Sequence, residues 1–228
     1  MAGKALTPLG VAVLALLAEG PMHPYEMCQL LIARNEDRIV KIRPGSLYHA
    51  VDRLAEKDMV RAVGTEREGN RPERTTYEVT ESGRAALTSR LSEILAQPVS
   101  EYPQFVLALS EIHNIDAARA MSLLRKRIEC KSIEDAELAE IERAVSARAV
   151  PPIFYVGVGY MRAVIQAEVA WLNQFVDDVD SGRIPWLTED MASDMAARRA
   201  ASSTETANSN RTANSNRTAN SNRTMGNE

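Results

Sequence analysis

Residues 44–83 read PGSLYHAVDRLAEKDMVRAVGTEREGNRPERTTYEVTESG, and the spacing of their apolar side chains changes along the stretch. The first part has apolar residues at the 3, 4 and 7 spacing of one helix face, namely Leu47, Ala50, Val51 and Leu54. Residues 59–66 and 75–79 then read as β-strands, and the turn Arg67 to Pro72 between them contains Gly and Asn. The stretch therefore predicts a helix followed by a β-hairpin.

Two further helices precede this stretch, and one follows it. Pro8 suits the first turn of a helix that stops at Gly20-Pro21, and Pro24 opens a second helix that ends near Asn35. After the hairpin, Arg84 to Ala96 carries the apolar residues of a fourth helix. Three helices, a hairpin and a helix make a winged helix-turn-helix, in which the third helix enters the major groove of DNA and the hairpin reaches along the backbone.

A domain boundary is predicted at Gln97-Pro98, because Pro does not continue a helix and disfavours helical backbone in the residue before it. Residues 8–97 then form the winged helix-turn-helix domain. Residues 98–182 contain a short helix and two long ones, and we expect an all-helical, coiled-coil-like dimerisation domain. The predicted fold class is therefore mainly α, of the α+β type.

Residues 183–228 are predicted to be a tail. Within it the sequence Thr-Ala-Asn-Ser-Asn-Arg occurs three times in tandem, beginning at Thr206, Thr212 and Thr218. A polar repeat of this kind buries too little apolar surface to offset the entropy cost of ordering it. We therefore expect this low-complexity segment to be disordered.

The composition indicates a globular protein of a reducing compartment. Hydrophobic residues are 45% of the 228 and charged residues 25%, and no apolar run reaches the roughly 20 residues of a membrane-spanning helix. Two cysteines, Cys28 and Cys130, are too few for a disulfide framework, so we expect a cytoplasmic protein that contacts no membrane. The net charge is −4, but the acidic excess lies in residues 98–201, so a polyanion is expected to meet the first half.

Four segments, in order and at consistent spacing, resemble the PadR family of bacterial transcriptional regulators. They are Gly20-Pro-Met-His-Pro-Tyr25-Glu-Met, Pro44-Gly-Ser-Leu-Tyr48-His-Ala-Val-Asp-Arg-Leu54, Asn70-Arg71-Pro72 and Tyr77-Glu-Val-Thr80-Glu-Ser-Gly83. The chain departs from the family at Pro24 and Asp58, where Gly is common or expected, and at Val51, where Leu is usual. None of these departures removes a residue that would face DNA. The length of the second half is similar to that of larger family members with a helical C-terminal domain like that of AphA.

The resemblance implies a homodimer that places two third helices in successive major grooves of a pseudo-palindromic double-stranded DNA operator. The candidate DNA contacts are Lys41, Arg43, Ser46, Tyr48, His49 and Arg53 around the third helix, and Arg67, Arg71 and Arg74 on the wing. Ser46, Tyr48 and His49 would contact the groove or phosphates. Arg43 and Arg53 would anchor phosphates. Two alternatives remain open, because Tyr48 could be a packing residue and Arg53 could pair with Asp52 or Glu56 on a solvated face.

The second half supplies the candidate dimer contacts. They are Leu124, Ile128, Met161, Ile165, Trp171, Leu172 and Phe175, on the two long helices. The aromatic residues Phe154, Tyr155, Tyr160, Trp171 and Phe175 are interpreted first as core or dimer packing and second as the lining of a ligand pocket. Smaller family members bind phenolic acids or hydrophobic drugs, so the resemblance also implies a small hydrophobic or phenolic effector.

No motif in the sequence indicates an enzyme, a cofactor or a metal site. Neither Gly-x-Ser-x-Gly nor a P-loop occurs, and His23, His49 and His113 lack the spacing of metal ligands. Cys130 is either an inert thiol or a redox switch. The leading hypothesis is a DNA-binding repressor. The alternative is a protein–protein interaction module that uses the winged helix as a scaffold.

Overall fold

The computed structural model describes residues 5–66, 74–187, 191, 193–194 and 197–198. The chain divides into two compact units, Met1–Glu101 and Tyr102–Glu228. The predicted turn Arg67 to Pro72, residues 188–190 and the repeats from Thr206 lie outside the described residues.

Three helices open the first unit, and each has Pro at its first turn, where the missing N–H costs no intrahelical hydrogen bond. They are α1 (Pro8–Glu19), α2 (Pro24–Ala33) and α3 (Pro44–Ala55). Thr7 Oγ1 accepts a hydrogen bond from Gly10 N–H at 3.1 Å and so caps α1. His23 Nδ1 accepts one from Tyr25 N–H at 3.1 Å and caps α2. The helix starts agree with those predicted from the prolines.

The predicted hairpin follows as β1 (Val60–Glu66) and β2 (Arg74–Val79), which pair antiparallel with Val60 opposite Val79. The register shifts between Ala62 and Gly64, which marks a β-bulge. Met22, between α1 and α2, exchanges two backbone hydrogen bonds with Tyr77 of β2, at 3.0 and 3.1 Å. The hairpin is thereby tied to the helices, as a winged helix-turn-helix requires.

The last helix of the unit is α4 (Glu81–Ala96), which begins three residues before the predicted start. Thr80 explains the difference, because its Oγ1 accepts a hydrogen bond from Gly83 N–H at 3.1 Å and caps the helix there. The same hydroxyl donates to the backbone carbonyl of Asp58 at 2.6 Å. Thr80 therefore joins the start of α4 to the turn that precedes β1.

The core of the first unit is apolar and includes buried side chains from the first three helices and both strands. Its largest fully buried members are Leu14, Leu16, Leu17, Met27, Leu31, Leu47, Val13 and Val51. Burial of each large aliphatic side chain contributes about 1.5–3 kcal/mol. This core holds one face of α3 and leaves the other in solvent, which decides where the candidate interface lies.

The second unit contains α5 (Gln104–Ser110), α6 (Ala117–Ala147) and α7 (Val156–Asp180). Asp116 Oδ1 accepts a hydrogen bond from Arg119 N–H at 3.0 Å and caps α6. The two long helices pack together around a core of Ala120, Met121, Leu124, Leu172 and Val176. The chain is thus mainly helical with one two-stranded sheet, and the predicted fold class is confirmed.

Side chains from three elements hold α5 against the long helices. The Arg127 guanidinium lies 3.4 Å above the centre of the Phe105 ring, and its Nε donates to Glu168 Oε1 at 2.6 Å. Farther along the chain, Trp186 Nε1 donates to the carbonyl oxygen of Ile115 at 3.0 Å. The ring contact joins α5 to α6, and the ion pair joins α6 to α7.

The described residues contain neither a membrane-spanning helix nor a cluster of metal-binding side chains. None of their helices has the length and apolar character of a membrane-spanning segment. No group of three or more His, Cys, Asp or Glu side chains among them is arranged to bind a metal ion.

Candidate nucleic-acid interface

Helix α3 has an apolar face in the core and a polar face in solvent. Leu47, Ala50, Val51 and Leu54 are all buried. Ser46, His49 and Arg53 lie on the other side of the helix and are exposed, as are Lys41 and Arg43 before it. The buried face therefore anchors α3 to the core. The predicted contact residues of α3 lie together on its exposed face.

The N-terminus of α3 is open. Arg43 occupies the cap position and makes no side-chain hydrogen bond to the first turn, and Pro44 follows it. A Cβ placed on Gly45 would have no atom within 4 Å. Free backbone N–H groups at a helix N-terminus carry a partial positive charge and favour phosphate. Exposed Arg43 adds a full positive charge at the same end.

Tyr48 has features of both interpretations left open by the sequence. Its ring makes an edge-to-face contact with His23 of the α2 cap, with 6.1 Å between centroids and 74° between planes. Nevertheless 40% of the residue is exposed. One side of the ring thus packs against α2 while the rest stays accessible, and its role as a DNA contact stays a prediction.

Arg53 is exposed and, within the described residues, forms no ion pair with Asp52 or Glu56. Arg34 differs, because its two terminal nitrogens bind the two carboxylate oxygens of Glu19 at 2.5 and 2.8 Å. These hydrogen bonds raise the pKa of Arg34 and lower the pKa of Glu19. The Arg34 charge is therefore already paired within the chain, whereas Arg53 is available to an external anion.

The wing, which is the β1–β2 hairpin, contributes fewer described candidate residues to the interface than α3 does. Arg67 and Arg71 lie outside the described residues, and only the backbone of Arg74 is described, at the start of β2 opposite Glu66. Sequence reasoning missed Arg61 of β1, an exposed cation that pairs with Glu78 across the hairpin at 2.5 Å. The only signal for this pair is the strand register, which places Arg61 opposite Glu78.

The candidate dimer residues occupy different environments within a single chain. Leu124, Ile165 and Leu172 are buried inside the second unit, whereas Ile128, Met161 and Phe175 are half-buried. Trp171 is exposed and stacks on Phe175, with ring centroids 5.3 Å apart and planes 5° apart. Phe154 and Tyr160 are also exposed, so the predicted aromatic cluster is not gathered into one core. Dimerisation through these residues stays a prediction.

A family model described as the transcriptional regulator PadR-like family matches residues 13–89. This match begins within α1, covers α2, α3 and the hairpin, and ends within α4. Residues 13–89 are thus similar to the PadR-like family. No curated protein shows significant similarity to the chain.

Solved PadR structures are similar in fold to this chain. Bacillus subtilis PadR in complex with operator DNA is 19% identical, with a TM-score of 0.64 over 76% of this chain and 98% of that chain. The same protein in complex with p-coumaric acid is 18% identical, with a TM-score of 0.63 over 75% and 98%. The Vibrio cholerae virulence activator AphA is 19% identical, with a TM-score of 0.60 over 76% and 98%. The similarity thus extends past the family match into the helical region, as the resemblance to larger members implied.

Proposed function

We propose that this PadR-like protein is a transcriptional regulator that binds operator DNA sequence-specifically and catalyses no reaction. The exposed polar face of α3 carries the proposal: Ser46, His49 and Arg53 are held outward by the buried face opposite them. An α-helix fits the major groove, where side chains reach base edges, and the open N-terminus of α3 suits a phosphate. The fold shared with a PadR that was solved on operator DNA supports this assignment.

Fluorescence anisotropy tests the proposal. The purified protein is titrated against a duplex from its own promoter region and against an unrelated duplex, each at two salt concentrations. Affinity for the promoter duplex should exceed affinity for the other by roughly 10³ or more and should fall steeply with salt. Weak and equal binding to both duplexes, with and without the aromatic compounds considered below, would contradict it.

The alternative function is a protein–protein interaction module with the winged helix as its scaffold. The wing discriminates between the two. If Arg71 and Arg74 bind phosphate, Arg71→Ala and Arg74→Ala should weaken binding to every duplex and each lower the salt slope by about one. Ser46→Ala and His49→Ala should instead alter sequence preference. Unchanged affinity and preference in all four variants would favour the interaction module.

We further propose that residues 8–97 bind DNA and residues 98–182 dimerise, giving a cytoplasmic homodimeric repressor on a pseudo-palindromic operator. Support comes from α7, where Tyr160, Val164 and Trp171 are large apolar side chains about half or more exposed. Leu123 and Ile133 of α6 are exposed to a similar degree. A large group of exposed apolar residues marks an interaction surface. A second copy of this chain would cover these residues.

A small aromatic effector completes the proposal. The support is the neighbouring PadR solved with p-coumaric acid. Binding of such a compound would have to favour a conformation with lower operator affinity. The test is whether phenolic acids weaken binding of the purified protein to its operator. Indifference across a broad panel of aromatic compounds would remove the effector from the proposal.

A further inference from the structure

The side chain of His23 contacts the starts of two helices. Its Nδ1 accepts a hydrogen bond from the N–H of Tyr25 at 3.1 Å and caps α2. Its ring also makes the edge-to-face contact with Tyr48 of α3, at 6.1 Å between centroids. Aromatic pairs favour this arrangement at centroid distances of about 4.5–7 Å. His23 therefore joins the cap of α2 to a candidate DNA contact on α3.

The backbone of His23 is held on both sides. Met22 before it exchanges two backbone hydrogen bonds with Tyr77 of the wing, at 3.0 and 3.1 Å. The carbonyl oxygen of His23 accepts from the N–H of Met27 at 3.1 Å. Pro24 after it favours the extended backbone that His23 adopts, with φ −81° and ψ 146°. The imidazole is thus attached to a segment that the wing and α2 keep in place.

Tyr48 lies at the border between the buried and exposed faces of α3. Val51, three residues further on, is buried, whereas Asp52, four residues further on, is exposed. Within the described part of the chain, the Tyr48 hydroxyl forms no hydrogen bond. The buried face of α3 fixes the backbone of Tyr48, but the position of its ring also depends on the side-chain torsion angles. The contact with His23 restricts those angles.

Capping of α2 does not by itself require histidine. Asn, Asp and Ser are the favoured residues at a helix N-cap, because their short side chains place an oxygen acceptor near the first backbone N–H groups. None of them has a ring that could pack against Tyr48. Histidine combines an acceptor nitrogen with an aromatic ring, so this residue performs both functions at position 23.

We propose that His23 is a positioning residue for DNA recognition, which holds the ring of Tyr48 in one orientation at the edge of the exposed face of α3. His23 itself does not contact DNA. A side chain that is already restrained loses less conformational freedom on binding than a mobile one, so the contact raises operator affinity. The effect on affinity rests on the proposed function, whereas the contact between the two rings does not.

Two substitutions of His23 separate the cap from the ring contact. His23→Asn keeps an acceptor at the cap and removes the ring, so the thermal midpoint should stay close to that of wild type. Operator affinity, measured by fluorescence anisotropy, should nevertheless fall about two- to tenfold. His23→Phe keeps a ring and removes the acceptor, so the midpoint should fall by several degrees while operator affinity is largely retained. A role confined to folding would make affinity follow stability in both variants.

Three further variants provide the controls. Thr7→Ala removes the cap of α1, whose hydrogen bond is also 3.1 Å long, and should lower the midpoint without changing operator affinity. His113→Asn makes the same substitution at an exposed position of the second unit and should change neither quantity. If His23 acts through Tyr48, His23→Asn should cause no further loss of affinity in a Tyr48→Ala protein.

Nuclear magnetic resonance of the full chain with isotope-labelled tyrosine rings tests the contact without DNA. The Tyr48 ring signals, identified by their absence from Tyr48→Ala, should shift in His23→Asn and stay in place in Thr7→Ala. Unshifted signals in His23→Asn would overturn the inference. Wild-type operator affinity of His23→Asn, or an undiminished loss in the Tyr48→Ala background, would overturn it as well. Shifted signals together with equal binding of the promoter and unrelated duplexes by wild type would reject the proposed function alone.

Discussion

The backbone carbonyl oxygen of Met59 lies 2.1 Å from the position that a Cβ on Gly83 would occupy. A side-chain methyl of Val79 lies 2.9 Å from the same position. Gly83 is in the first turn of α4, which here crosses the backbone just before β1. The absence of a side chain at residue 83 is what allows the helix to pack this close to the hairpin.

Gly83→Ala should therefore lower the free energy of unfolding by about 1–3 kcal/mol, because backbone must shift to admit the methyl group. The gain in helix propensity, about 1 kcal/mol, does not offset this. Chemical denaturation measures the change. Gly45→Ala in the same unit is the matched control, since no atom lies within 4 Å of its Cβ, and should be neutral or stabilising. Equal stability of Gly83→Ala and wild type would show that α4 can move away from Met59.

Gly45→Ala should weaken DNA binding without lowering the stability of the fold. Gly45 lies at the uncapped N-terminus of α3, and a methyl group there stands between the helix and an approaching phosphate. We expect operator affinity to fall several-fold, measured by anisotropy, while stability is maintained. Gly64→Ala on β1, which also has an open Cβ position, is the control and should leave affinity nearly unchanged. Full affinity in Gly45→Ala would place the DNA away from this end of α3.

Arg53→Ala should weaken binding to specific and unrelated duplexes alike. Arg53 is exposed, and among the described residues it has no anionic partner to lose, so its removal costs little stability. One phosphate contact fewer lowers the salt slope of binding by about one. Arg84→Ala, at an exposed position in α4, removes the same charge and should have a smaller effect. If the two variants lose affinity equally, the loss reflects net charge and not contact by Arg53.

Val164→Glu should dissociate the proposed homodimer. Val164 is 47% exposed on α7, and a charge at an apolar interface is costly to desolvate. Sedimentation velocity should show a shift towards monomer with unchanged helix content by circular dichroism. Asn173→Glu places the same charge at another exposed position of α7 and should remain dimeric. A Val164→Glu protein with the wild-type sedimentation coefficient would move the interface away from Val164.

Acid should destabilise the second unit through Asp135. Hydrogen bonds from Arg162 and Gln166 hold the pKa of Asp135 below its ordinary value. The ionised form is thus favoured in the folded state, so its stabilisation is complete above the unfolded pKa of about 4 and is lost as pH falls through the lower folded value. Asp135→Asn should therefore reduce the fall of the thermal midpoint below about pH 4. The control is Asp177→Asn at an exposed position of α7, and its thermal midpoint should fall below about pH 4 as in the wild type. Equal pH profiles for Asp135→Asn and wild type would exclude the Asp135 contribution.

The helix starts in the first unit were predictable because their signals are local. Pro8, Pro24 and Pro44 each stand at a first helical turn, and the apolar spacing of α3 indicated which side of it is buried. The sequence predicts the start of α4 three residues too late, although its cap is local: Thr80 accepts from the N–H of Gly83. What the sequence does not indicate is the bond from Thr80 to the carbonyl of Asp58, 22 residues away. Periodicity alone does not reveal such a partner.

The polar face of α3 was also predictable, but the accessibility of its cations was not. Glu56 lies three residues from Arg53, at the spacing of neighbouring helical turns, but whether the two side chains pair depends on side-chain geometry that the sequence does not give. The aromatic residues of the second half show the same limit. Their spacing fitted packing, yet the structure leaves Phe154 and Tyr160 exposed and stacks Trp171 on Phe175.

Element order, the starts of the first three helices and the PadR resemblance thus follow from the order of residues, since backbone preference and apolar period act over one or two turns. Tertiary structure decided three other matters. It buried Leu124 and Leu172 inside one chain, made Gly83 indispensable against Met59, and brought the ring of His23 against Tyr48. Each depends on groups that are distant in sequence and meet only when helices and strands pack, because side-chain contacts are set by three-dimensional proximity.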